Sequence, residues 1–78
     1  MDWREHIHSD PGILGGKPVV RGTRISVELI LEYFADGCST ADVLAGYPHL
    51  KPDDVRAALQ FAHDMVADES AIAQQRAA

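Results

Sequence analysis

One cysteine, one tryptophan and seven basic side chains are all that 78 residues provide of these types. The single cysteine, Cys38, excludes an intrachain disulfide, and no cysteine and histidine pairs stand at zinc-finger spacing. No apolar run approaches the roughly 18 residues of a membrane span. The opening MDWREHIHSDP lacks the apolar core of a signal peptide, so the expected location is the cytoplasm. A chain of this length makes one domain with a small core, and such domains draw extra stability from disulfides, metals or partner subunits. With the first two absent, self-association as a homodimer is the expected source.

Positive charge is also scarce. Twelve acids against seven bases leave a net charge of −5, which disfavours wrapping DNA, because phosphate contacts need clustered Lys and Arg. The imbalance is local. Residues 1–26 carry four bases and three acids, a balance of +1, whereas residues 27–78 carry three bases and nine acids, a balance of −6.

What is present divides the chain into a β element and basic loop over 1–26, a three-helix bundle over 27–69 and a tail over 70–78. Two short strands are predicted near 4–8 and 18–21, separated by the turn signals Asp10-Pro11-Gly12 and Gly15-Gly16. Helical spacing starts after Ser26, an N-cap, with Val27, Ile30, Leu31 and Phe34 on one face and Glu28, Glu32 and Asp36 opposite. Gly37 ends that helix. Ser39 and Asp42 stand in capping-box register for a second, short helix that Pro48 stops. The third begins at Pro52, with Asp53 and Asp54 in its first turn, where carboxylates suit the helix dipole. Its predicted apolar stripe is Val55, Ala58, Leu59, Ala62 and Val66, widened by Phe61 and Met65. A helix continued to residue 73 would overhang so small a core, leaving Ile72 to fray or dock on another chain.

The stretch GGKPVVRGTR begins as a phosphate loop does, but Pro11 stands where a Walker motif needs glycine and Pro18 where it needs Ser or Thr. Lys17, Arg21 and Arg24 are the best anion-facing group, suited to phosphate or carboxylate. The plainer alternative pairs the arginines with acids such as Glu28 or Glu32. Through Glu69 the third helix carries five acids and one base, Arg56, so its chemistry suits a protein-facing or solvated surface better than phosphate. If it meets DNA, Lys51, Arg56 and Gln60 are the contacts. His6 and His8 share one side of a strand, without a third metal ligand. His63 and Asp64 project about 100° apart on a helix, poor geometry for a catalytic dyad. No nucleophile, base and oxyanion donor assemble. No enzyme activity, cofactor or metal is expected.

The run Asp10 to Val27, DPGILGGKPVVRGTRISV, resembles the signature of domain-of-unknown-function family 433, and Gly37, Tyr47-Pro48 and the Asp53-Asp54-Val55-Arg56-Ala57-Ala58-Leu59 helix start extend the likeness. It covers roughly residues 7–68. The resemblance implies a mainly α fold, a homeodomain-like helix-turn-helix bundle of three helices with a short N-terminal two-stranded β element. It also implies an antitoxin-like protein that binds a cognate PIN-type ribonuclease toxin, through a tail containing Ile72 and Arg76, and represses its own operon by binding operator DNA. Where the family often has Thr or Ser, this chain has Lys51. Two alternatives stay open: a standalone helix-turn-helix DNA-binding regulator, and a dimerising interaction module that binds no DNA.

Overall fold

Helix starts are fixed by side chains that satisfy otherwise unpaired backbone N–H groups. The Ser26 hydroxyl accepts the Leu29 N–H at 3.0 Å and opens α1, Val27–Ala35. Ser39 and Asp42 close a reciprocal capping box, with the Ser39 N–H donating to the Asp42 carboxylate at 2.7 Å, and open α2, Thr40–Gly46. Lys51 has no side-chain acceptor with which to cap α3, Pro52–Val66. Half a box forms instead: the Lys51 backbone N–H donates to Asp54 Oδ2 at 2.9 Å. Pro52 occupies the first helical position, where no N–H is missed. The structure is a computed structural model and describes residues 1–67. Ile72 and Arg76, and any extension of α3 to residue 73, lie outside them.

The β element is shorter than its sequence suggests. Strands β1, Ile7–His8, and β2, Val19–Val20, pair antiparallel with Ile7 opposite Val20. Trp3–Glu5 form a 3-10 turn instead of extending β1, because the Asp2 carboxylate accepts the Arg4 N–H at 3.0 Å and winds the backbone. His6 closes that turn with φ −114° and ψ −28°. It therefore does not share a strand face with His8.

Between the strands, Leu14, Gly15 and Gly16 are all left-handed, with φ of 49°, 66° and 90°. This turn leads into β2 and not into a helix N-terminus, so the glycine pair cannot cradle phosphate as a Walker loop does. After β2, Gly22 takes φ 76° in the turn closed by the Thr23 N–H on the Val20 carbonyl at 3.0 Å. A Cβ at Gly22 would meet nothing within 4 Å. Gly22→Ala therefore reports backbone strain alone and is expected to cost about 1 kcal/mol. For a domain of this size that lowers the melting temperature by about 4–8 °C, read by circular dichroism.

The core gathers Ile7 and Val20 from the ribbon, Val27 and Ile30 from α1, Val43 and Leu50 from the middle, and Val55, Ala57 and Ala58 from α3. Three helices and a two-stranded ribbon thus match the expected fold class. The stripe on α3 matches at Val55 and Ala58, both fully buried, and departs elsewhere. Ala57 is fully buried, whereas Leu59, Met65 and Val66 are 40%, 54% and 63% exposed. The cause is the N-terminal turn, which packs on α3 and places Trp3 against Phe61. This rotates the buried face toward Ala57 and Phe61 and leaves Leu59 on the rim. Met65 and Val66 lie in the last turn, beyond the reach of the core.

Candidate functional site

Turning Ala57, Ala58 and Phe61 inward obliges α3 to present the opposite side. At 100° per residue, Arg56, Leu59, Gln60 and His63 fall together there. They line a shallow open cleft of about 280 Å³. Two of the residues expected from sequence, Arg56 and Gln60, are thus brought together. Lys51 stands at the head of the same helix with an exposed side chain and, among the described residues, no ion pair.

The acids of α3 are distributed unequally. Asp54 faces the ribbon: Oδ1 accepts the His6 Nδ1–H at 3.0 Å while Oδ2 accepts the Lys51 N–H. Both side chains of the His6–Asp54 pair are largely buried. Asp64 is engaged by three donors. Trp3 Nε1–H donates to Oδ2 at 2.8 Å, and Gln60 Nε2–H and His63 Nδ1–H donate to Oδ1 at 2.9 and 3.1 Å. These bonds, that from His63 foremost, hold the Asp64 carboxyl below the usual carboxylate range. Asp53 stands on the outward side 3.8 Å from Arg56, and Asp64, still exposed, lies beside Gln60 and His63 at its edge.

The adjacent pair His63 and Asp64 does meet, against the helical-wheel expectation. The Asp64 side chain bends toward the imidazole while reaching Trp3. Accepting His63 Nδ1–H leaves Nε2 without a proton in the neutral ring, a bare acceptor at the cleft. Trp3 itself was invisible as a site residue. The sole tryptophan, near the N-terminus and far in sequence from Asp64, gave no periodic signal.

The basic loop separates into three roles. Lys17 Nζ donates to Glu28 Oε1 at 2.7 Å, and this contact holds the Glu28 carboxyl below its usual range. So lysine, and not an arginine, meets the acidic face of α1. Arg21 reaches back to the N-terminal turn, its Nε–H and Nη2–H donating to the Arg4 carbonyl at 3.2 and 3.0 Å. Arg4 lies over the Trp3 ring, 4.5 Å from its centroid. Arg24 is exposed and makes no side-chain hydrogen bond or ion pair among the described residues. The three expected contact residues therefore do not form one cluster: two are occupied in holding the ribbon to its neighbours.

Cys38 is half-buried, just after α1. Among the described residues no group of three His, Cys, Asp or Glu side chains is placed to hold a metal ion, and no helix is long and apolar enough to cross a membrane. His6 turns to Asp54, while His8 Nε2 is buried without a hydrogen-bond partner.

Comparison with known proteins places this geometry. An uncharacterized protein, y4eO, of Sinorhizobium fredii is 42% identical over 59 residues, which are 76% of this chain and 27% of that protein. The chain thus spans about a quarter of its relative's length. The crystal structure of a DUF433 member from Anabaena variabilis superposes with a TM-score of 0.72 at 30% identity, covering 92% of this chain and 68% of that one. Residues 7–62, from β1 through the outward face of α3 as far as Gln60, match the family described as "Protein of unknown function (DUF433)", and the chain belongs to that family.

Proposed function

We propose that the chain is an antitoxin-like binding module that engages a PIN-type ribonuclease toxin, self-associates and represses its own operon. One observation supports it most: Leu59, Met65 and Val66 are exposed within eight residues of a regular helix. Single exposed aliphatic residues are ordinary, but several on one short element favour a protein-contact surface. Arg56 beside them provides an anchor for a partner's carboxylates. Co-expression with the product of the neighbouring gene is the test. The expected result is a stable complex and relief of the toxin's growth arrest, both lost in a Leu59→Asp, Val66→Asp variant that remains folded. No complex and no relief would reject the reading.

A second reading, a helix-turn-helix DNA-binding regulator, is favoured by the engagement of Asp54 with His6 and of Asp64 with Trp3, Gln60 and His63. Among the described residues, the outward side of α3 carries Arg56, Gln60 and His63, with Lys51 at its head, beside the acids Asp53 and Asp64.

A further inference from the structure

We infer that Leu14, in the loop joining β1 to β2, is an apolar anchor that enters an apolar pocket of the protein partner. This role rests on the toxin-binding reading above and adds to it a contact outside α3.

Two features of Leu14 work against stability. Among the described residues it is the one residue other than glycine with a positive φ, 49°. There the Cβ crowds the following carbonyl, a conformation that glycine, and after it asparagine, adopts with less strain. Gly15 and Gly16, at 66° and 90°, have no Cβ to be crowded. The leucine side chain is 42% exposed and lies outside the central cluster, so packing in the core does not offset the strain. Strained backbone persists where it serves a contact, and here it holds an aliphatic group toward solvent.

The loop is also braced. Asp10 Oδ1 accepts the Gly12 N–H at 2.8 Å and the Asp10 carbonyl accepts the Ile13 N–H at 2.9 Å. The Ile13 carbonyl accepts the Gly16 N–H at 3.0 Å, and the Leu14 carbonyl accepts the Lys17 N–H at 3.4 Å. A loop already ordered loses little conformational freedom when it docks.

Charge and shape select the occupant. From Ser9 to Gly16 the sole charged residue is Asp10, and Lys17 is given to Glu28, so the loop suits an apolar pocket and not phosphate. A net charge of −5 opposes an anionic lipid surface. The cleft on α3 is lined by Arg56, Gln60 and His63 beside Leu59, so on a second copy it offers a leucine no apolar pocket. A protein of different sequence fits best.

The test compares the native chain, Leu14→Asn and Leu14→Met, each co-expressed with the product of the neighbouring gene, with affinities measured by titration calorimetry. Asparagine tolerates the backbone and removes the anchor; methionine keeps an apolar side chain of similar size. Leu14→Asn alone is expected to melt no lower than the native protein and up to about 4 °C higher by circular dichroism. It should bind the partner about tenfold or more weakly, with Leu14→Met within about threefold of native. A lower melting temperature for Leu14→Asn makes Leu14 a structural residue and overturns the anchor. So does native affinity in Leu14→Asn, which leaves the toxin-binding reading standing. Absence of any complex with the native chain overturns both. Sedimentation of the native chain alone, and with phosphatidylcholine and phosphatidylserine vesicles, tests the other occupants. Self-association or vesicle binding that Leu14→Asn abolishes would give the loop to a second copy or to lipid, and would equally overturn the partner pocket.

Discussion

Trp3→Ala is expected to lower stability by about 2–3 kcal/mol, a loss larger than its half-exposed position on an N-terminal turn would suggest. The indole meets Phe61 edge-on, with ring centroids 4.8 Å apart at 88°. Its N–H donates to Asp64, so truncation removes apolar contact, an aromatic pair and one hydrogen bond together. At about 4–8 °C per kcal/mol for a small domain, the melting temperature should fall by about 8 °C or more. Trp3→Phe separates the parts. It keeps a ring against Phe61 and loses only the donor, and its expected cost is about 1 kcal/mol. A Trp3→Ala protein that melts with the native one would mean that the N-terminal turn does not hold α3 in solution. The proposed contact surface would then lose its fixed Asp64, and with it the orientation of Gln60 and His63.

The contrast between Trp3 and Ser26 shows what the sequence reveals. Ser26, Ser39 and Pro52 act within one turn of themselves, through local hydrogen bonds and a fixed φ, and each helix begins where these residues predict. Trp3 acts across 61 residues, on Asp64, and no periodicity encodes such a partner. That one long-range contact changed two readings. With the Trp3–Phe61 pair it turned the buried face of α3 toward Ala57, and it brought Asp64 to His63, while the 3-10 turn that carries Trp3 is wound locally by Asp2. The acids of α3 teach the same lesson. Five carboxylates in sequence look like a uniformly repulsive helix, but Asp54 and Asp64 are engaged, the one by His6 and Lys51, the other by Trp3, Gln60 and His63. Arg56 and Gln60 were legible as candidates because their residue types and helical position sufficed. The partners of Lys17 and Arg21 were not legible, because they depend on which neighbour the folded ribbon offers.

Ile30→Ala provides the largest expected stability loss and, set against Leu59→Ala, a test of the whole surface assignment. Ile30 is fully buried on α1 and belongs to the central cluster with Val43 and Val55. Truncation removes three carbons where the surroundings can collapse only in part, at a cost of about 2–5 kcal/mol. A domain of this size has a total stability of only about 4–12 kcal/mol, so the variant should be partly unfolded at room temperature in mild urea. Ile30→Val, which removes one methylene, should cost about 0.5–1.5 kcal/mol and stay folded. Leu59→Ala deletes a side chain of the same size from the helix whose apolar stripe was expected to share this core. Because Leu59 stands on the outward rim, the expected cost is within about 0.5 kcal/mol. Urea titration of both variants decides the matter. Should Leu59→Ala approach the loss seen for Ile30→Ala, Leu59 is a core residue, α3 is rotated, and neither a protein partner nor DNA meets the face proposed. A small loss at Leu59 with a large one at Ile30 makes that side chain free for contact, since nothing in the fold depends on it.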